Sequence, residues 1–169
     1  KIKFYQASSS EMYGNTLSNK QSEKTKFNPQ SPYAISKLFG HYITKNYRNS
    51  YNLYAVSGIL FNHESPLRSN EFVTKKIISG LINIINKKKK FIELGNVYSK
   101  RDWGYAKEYV VQMWKMLQLK KADDFVIATG KTHSIKELID IATKYLNLNV
   151  KWVGSGLKLR LINNENNQT

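Results

Sequence analysis

The nine residues Leu53-Tyr54-Ala55-Val56-Ser57-Gly58-Ile59-Leu60-Phe61 carry no charge and narrow the fold more than any other stretch. Their β-branched and aromatic content, in an apolar run, suits a strand buried on both faces of a parallel sheet. A parallel strand needs a crossover, and the residues ahead of it supply a helix. Ser31 is a good N-cap and Pro32 suits the first helical position. Ile35, Leu38, Phe39, Tyr42 and Ile43 then recur at helical spacing until the pattern fades around Asn49-Ser50-Tyr51-Asn52. A helix delivering the chain into a buried strand is half of an alternating α/β pattern. Asn62-His63-Glu64-Ser65-Pro66 breaks regularity at the strand's carboxyl end, the edge where ligands bind in open α/β sheets.

Further elements follow in order. Glu71 to Ile85 reads as a helix with Val73, Ile77, Ile78, Leu81 and Ile84 as apolar cover. Phe91-Ile92-Glu93-Leu94 reads as a short strand stopped by Gly95-Asn96. Ala106 to Leu119 is a second such helix, its expected buried stripe being Tyr109, Val110, Met113, Trp114 and Leu117. Asp124 to Ala128 is another strand, ended by Thr129-Gly130. Ser134 caps a further helix, with Glu137 as its capping-box partner, and Val150 to Val153 is a last strand. From Leu157 the text turns basic and apolar, then Asn-rich and aperiodic, which predicts a disordered or divergent tail over 157–169.

The chemistry gathers ahead of and within the first helix. Lys1 to Gln6 looks like the end of a strand, so Ser8, Ser9, Ser10 and Glu11 fall where it stops. Tyr33 and Lys37, four residues apart, share a helix face roughly opposite the apolar stripe. A neighbouring ammonium favours a phenolate, and a tyrosine tuned this way can take a proton from an alcohol while a hydride leaves the same carbon. Ser9 could hand that proton on or hold the alcohol oxygen, and Glu11 could be a second acid or base. Spacing alone decides nothing, because eleven tyrosines among many lysines give about one or two Tyr-x-x-x-Lys spacings by chance. A solvated helix face accounts for the pair equally well.

Composition bounds the partners. The length fits one ordinary domain with enough apolar residues for a core. With no cysteine, disulfides and thiolate metal sites are excluded, and no metal site is expected. No run is long and apolar enough to span a membrane. The start has no signal-peptide design, so the expected location is cytoplasmic. Lacking an initiator Met and entering on a strand, the chain reads as a piece of something longer. A formal net charge of +15 would suit a polyanion-binding protein. The excess is almost all lysine, however, with arginine only at 48, 68, 101 and 160. Such a Lys-, Asn- and Ile-rich mixture is what an AT-rich coding sequence gives on any scaffold, and Lys87-Lys88-Lys89-Lys90 reads as a solvated turn.

Several blocks of sequence in fixed order say more. Ala7-Ser8-Ser9-Ser10-Glu11-Met12-Tyr13-Gly14 followed by Ser31-Pro32-Tyr33-Ala34-Ile35-Ser36-Lys37 resembles the extended short-chain dehydrogenases/reductases that act on nucleotide sugars. Gly58 to Pro66, Phe72 to Ile77, Leu94-Gly95-Asn96, Arg101-Asp102-Trp103-Gly104 and Asp124 to Gly130 narrow the resemblance to the GDP-mannose 4,6-dehydratases, over about residues 1 to 154. The fold this implies is α/β: the C-terminal part of a Rossmann-like doubly wound parallel sheet, plus part of a smaller α/β substrate-binding lobe. Residues 1–66 would belong to the cofactor and catalytic domain, and 67–156 to a mixed substrate-binding lobe with returning sheet elements.

The resemblance assigns catalysis to Ser9, Glu11, Tyr33 and Lys37, with Ser9 standing where relatives usually have threonine. NADP would meet Ser8, Tyr33, Lys37, His63 and Arg68; GDP-mannose would meet Ser10, Asn62, Lys76 and Arg101. Leu67 stands where relatives often have a basic residue. The implied reaction is a hydro-lyase step with internal redox, the first step of GDP-fucose synthesis. Tyr33 takes the hydroxyl proton at carbon 4 as NADP takes the hydride, Glu11 removes the carbon-5 proton and helps expel the carbon-6 hydroxyl as water, and the hydride returns to carbon 6. Relatives associate through helices that include the one bearing Tyr33, implying a homodimer or homotetramer. One departure is large: no Gly-x-x-Gly-x-x-Gly or Gly-x-Gly-x-x-Gly occurs, so the first strands of such a sheet are expected to be absent and the fragment inactive by itself. A truncated non-catalytic remnant, or a basic nucleic-acid-binding module, are the competing readings.

Overall fold

The computed structural model describes residues 2–17 and 20–164. In chain order it contains β1 (Phe4–Ser9), a 3-10 turn (Ser10–Tyr13), α1 (Pro32–Tyr51), β2 (Ala55–Leu60), β3 (Asn62–Glu64), α2 (Val73–Ile85), β4 (Lys100–Arg101) and β5 (Trp103–Tyr105). Then come α3 (Ala106–Met116), β6 (Asp124–Ile127), β7 (His133–Ser134), α4 (Ile135–Tyr145), β8 (Val150–Val153), a second 3-10 turn (Gly156–Lys158) and β9 (Arg160–Asn163). The chain divides into two units: Lys1–Ser65 with Asp102–Lys131, and Pro66–Arg101 with Thr132–Thr169. Residues 102–131, expected in the second segment, belong to the first unit because β6 pairs with β2.

The first unit is built on a parallel sheet in the order β1-β2-β6. β2, in the middle, is buried at all six positions, as its uncharged sequence requires. Side chains of β1 alternate between faces. Gln6 and Ser8 meet α1, while Tyr5 lies beside Gly58 and Met116 of α3. Helices therefore cover both faces, as in a doubly wound sheet. At the outer edge the Val126 N–H donates to Glu23 Oε1 at 2.8 Å, so a side chain from the segment joining β1 to α1 closes the edge of β6.

α1 starts as its sequence predicts. Ser31 accepts from the Ala34 N–H at 3.1 Å and Pro32 holds the first position. Asn52, left-handed at φ 51°, ends it. Its orientation is the surprise. Of the expected apolar stripe, Leu38 packs against Met12, Tyr13 and Ile59, but Ile35, Phe39, Tyr42 and Ile43 are exposed, and the buried positions are Ala34, His41 and Thr44. The sheet-facing side is small or polar and finds partners in the sheet, which leaves the apolar side outward. α3 departs similarly: Tyr109 and Met116 are buried, but Val110 and Trp114 are exposed.

Gly14 closes the first 3-10 turn at φ 51°, and a Cβ there would overlap the backbone carbonyl of Asn28. That strand-like approach is pinned by the Asn28 N–H donating to Met12 O at 2.9 Å. Gly14→Ala combines a left-handed backbone with overpacking, and is expected to destabilise the chain by about 1–3 kcal/mol in urea denaturation.

In the second unit, α2 and α4 pack together around Ile77, Leu81, Val97, Ile139 and Ala142. Ser134 and Glu137 form the expected capping box. Two expectations are corrected. Phe91 to Leu94 is not a strand, because no strand among the described residues pairs with it; Ile92 and Leu94 instead pack against the core. The start of the supposed tail is ordered: β9 pairs antiparallel with β8, and Leu159 and Leu161 reach the core beside Trp152. Residues 165–169 of the expected tail lie outside the described residues. Lys87 to Lys90 are an exposed turn, as read.

Candidate functional site

β1 ends at Ser9, whose side chain accepts from the Glu11 N–H at 3.2 Å and so caps the turn that carries Glu11 into solvent. Ser9 and Ser10 are half-buried and Glu11 is exposed. From α1, Lys37 reaches back to the same strand: its Nζ donates to Ala7 O at 3.0 Å and lies 5.6 Å from the centre of the Tyr33 ring. α1 also packs against the turn itself. The ammonium, the phenol and the Ser9–Glu11 turn therefore meet at the carboxyl end of β1. Tyr33 is 55% exposed, so its hydroxyl is open to a ligand.

Ser8, expected at the cofactor, has its side chain turned inward by strand alternation: it is 3% exposed and its Oγ lies 3.1 Å from His41 Nδ1. The contacts continue. His41 Nε2 is 3.7 Å from Asp124 Oδ2, and both terminal nitrogens of Arg48 donate to Asp124 Oδ1 at 3.0 Å. Arg48 also donates to Ala55 O at 3.0 Å. Sequence reasoning missed this group, although Lys37, His41, Thr44 and Arg48 follow one another at helical spacing. A polar stripe interrupting a buried face was the available signal.

Burial pushes the His41 imidazole below its ordinary 6.5; Asp124 opposes this, while Lys45 and Arg48 add to it. A ring that binds its proton less readily in the fold than in the unfolded chain disfavours folding when protonated. The contribution of His41 is thus complete above about pH 6.5 and declines as pH falls below it toward the lowered folded value, by at most about 1.4 kcal/mol per pH unit. His41→Asn should flatten that part of the profile in urea midpoints taken from about pH 7.5 to 5.

At the end of β2, His63 Nδ1 lies 2.9 Å from Phe61 O. A carbonyl only accepts, so Nδ1 carries the proton and Nε2 presents a lone pair. The ring stacks on Tyr109 at 4.7 Å and 23°. Tyr109, another residue the sequence reading did not single out for the site, is buried and its phenol is pushed up to about 12, by burial first and then by Asp102 and Glu108. It is a platform for His63 rather than a base. Asp102 pairs with the Thr129 and Gly130 amides and the Thr129 hydroxyl at 2.8–3.0 Å, not with Arg101. Asn62 is half-buried in β3.

The remaining predicted residues belong to the second unit. The Arg68 guanidinium lies 3.4 Å from the centre of the Phe72 ring. Lys76 Nζ donates to Glu93 O at 2.8 Å, and Arg101 to Lys100 O at 2.8 Å. Among the described residues no group of His, Asp and Glu is arranged to hold a metal ion. Among the described residues no helix is long and apolar enough to cross a membrane.

The sequence matches the family description "GDP-mannose 4,6 dehydratase" over residues 1–169. It is 50% identical over 156 residues to the GDP-mannose 4,6 dehydratase of Drosophila melanogaster, covering 92% of this chain and 40% of that protein. It is 52% identical over 150 residues to GDP-mannose 4,6 dehydratase 1 of Arabidopsis thaliana, covering 89% and 41%. The fold is similar to that of RMD from Pseudomonas aeruginosa complexed with NADPH, with a TM-score of 0.80 and 20% identity over 86% of this chain and 50% of that one. The chain thus spans about two fifths of the length of these two curated relatives. By a match along its whole length and by half-identity to such relatives, the chain belongs to the GDP-mannose 4,6-dehydratase family.

Proposed function

We propose that this chain carries the catalytic end of the sheet, and part of the sugar site, of an NADP-dependent hydro-lyase that converts GDP-mannose to GDP-4-keto-6-deoxy-mannose. The observation that carries the proposal is the Lys37 ammonium anchored on Ala7 O beside Tyr33, at the strand end that delivers Ser9 and Glu11. Lys37, fixed by that carbonyl, holds positive charge where the Tyr33 phenol must give up its proton. Tyr33 then removes the hydroxyl proton at carbon 4 of the sugar, and Ser9 holds that oxygen. Glu11, exposed on its turn, takes the acidified proton at carbon 5 and returns one to the departing water.

The donor set fits one end of the cofactor. His63 Nε2, a fixed acceptor, suits an amide or hydroxyl donor, and Tyr33 and Lys37 suit a ribose. NADP, when bound, would accept hydride from carbon 4 and return it to carbon 6. Neighbours of similar fold are described in complex with NADPH or with NAD, which supports a nicotinamide cofactor. The chain carries no Gly-rich turn for the pyrophosphate. Arg68 is proposed for the cofactor, and Ser10, Asn62, Lys76 and Arg101 for GDP-mannose. The outward apolar side of α1, with Phe39 at 68% exposed, supports self-association of the whole protein.

The test is an assay of GDP-mannose with NADP+, following a product lighter by one water. The chain by itself should show no turnover. Extended to the length of its relatives it should turn over, and Glu11→Gln should lower kcat by about 10²-fold or more. An extended protein that is fully active with Glu11→Gln removes that carboxylate from the mechanism.

A further inference from the structure

A helix facing a parallel sheet ordinarily buries apolar side chains, and apolar replacement of a buried polar group is often neutral or stabilising. α1 does the opposite. It turns Phe39, Tyr42 and Ile43 outward and sets His41 and Arg48 against the sheet. The partners of this polar face are distributed: Ser8 on β1, Ala55 on β2 and Asp124 on β6, one contact to every strand. Ser8, His41, Asp124 and Arg48 form a continuous chain in which the carboxylate divides its oxygens, Oδ1 to Arg48 and Oδ2 to His41.

The directions along this chain follow from chemistry. The Asp124 carboxylate, 3.7 Å from Nε2, is too far for a hydrogen bond, but its charge favours a proton on that nitrogen over Nδ1. Nδ1 is then an acceptor, and the Ser8 hydroxyl donates to it. The order hydroxyl, imidazole, carboxylate is that of a serine hydrolase. Here the hydroxyl is 3% and the histidine 2% exposed, so no substrate reaches either. What the arrangement can do is hold. α1 grips three consecutive residues of β1: Gly40 lies against the Gln6 side chain, Lys37 takes the Ala7 carbonyl, and His41 takes the Ser8 hydroxyl. The next residue is Ser9, and Glu11 hangs from it by a single hydrogen bond.

We propose that His41 is a positioning residue: by accepting from Ser8 while its other nitrogen faces the Asp124 carboxylate, it fixes the end of β1, and with it Ser9 and Glu11, against the helix that bears Tyr33 and Lys37. The value of this for catalysis rests on the dehydratase reading, whereas the coupling itself does not and is measured without substrate.

The experiment is nuclear magnetic resonance of this chain, reading the His41 ring nitrogens and amide exchange at Glu11 relative to amides of β2. The parent should show a bare Nδ1 and a protonated Nε2. Ser8→Ala should keep that tautomer and speed Glu11 exchange about tenfold or more relative to β2. His41→Asn, whose amide oxygen can still accept from Ser8, should stay within about threefold of the parent. His41→Gln, which reaches toward Asp124 but not Ser8, should behave like Ser8→Ala. A proton on Nδ1 in the parent, or Glu11 exchange unmoved by Ser8→Ala, overturns the proposal. So does equal loosening by His41→Asn and His41→Gln. Ser8→Ala removes a single oxygen, so it reads out even where a histidine variant fails to fold. An inactive extended protein with these exchange results intact would count against the dehydratase reading and leave the positioning role standing.

Discussion

Tyr33→Phe, placed in a protein extended to the length of the relatives, is expected to cut kcat on GDP-mannose by about 10²–10⁴ while leaving KM within about threefold. The ring of phenylalanine keeps the packing of α1 and loses only the group that receives the carbon-4 proton. Because Tyr33 is more exposed than buried, the substitution should leave the urea midpoint of this chain unchanged, which separates chemistry from folding. Lys37→Ala should follow it in kcat, since the ammonium held at Ala7 O places a positive charge 5.6 Å from the centre of the Tyr33 ring. It should differ in stability, because the strand carbonyl then loses a partner. Unchanged kcat in Tyr33→Phe would move the proton-accepting role elsewhere and leave the site without its base.

Asp124→Ala is expected to cost about 3–5 kcal/mol in urea denaturation, the range for removing one partner of a buried ion pair. The carboxylate and the guanidinium are each 10% exposed in their side chains, so solvent cannot replace the lost charge. Two groups are affected directly: Arg48 loses two hydrogen bonds, and His41, which holds Ser8, loses the negative charge 3.7 Å from its Nε2. Against a whole-domain stability of about 5–15 kcal/mol, this is the largest single-residue effect expected in the first unit. Asp124→Asn should cost less, because its oxygen still accepts from Arg48, but its amide would oppose the Nε2–H. A loss under about 1 kcal/mol for Asp124→Ala would mean that Arg48 is solvated in solution.

The sheet and the start of α1 were legible because their signals are local. An uncharged run such as Leu53 to Phe61 has few places to go except a buried strand, and Ser31-Pro32 announces a helix start in two residues. Ser134 with Glu137 does the same for α4. Orientation was not legible. Periodicity shows that α1 has an apolar side, yet whether that side faces the sheet depends on partners far away in sequence. Asp124 stands 83 positions from His41 by their numbers (124 − 41). The same limit explains Ser8, which looks like its neighbours in a run of serines until strand alternation turns it inward. It also explains β9, whose place in a basic and apolar stretch leading into an Asn-rich run suggested a tail but whose Leu161 is held by β8 and Trp152.

The carboxylate of Glu23 on the Val126 amide has an effect beyond its own hydrogen bond. It works as a terminator: a further strand arriving at β6 would find that amide taken. β1, with Phe4 half exposed, lies at the opposite border of the sheet, where Lys37 takes the outward carbonyl of Ala7. A strand joining the sheet at β6 would first have to displace Glu23 from that amide.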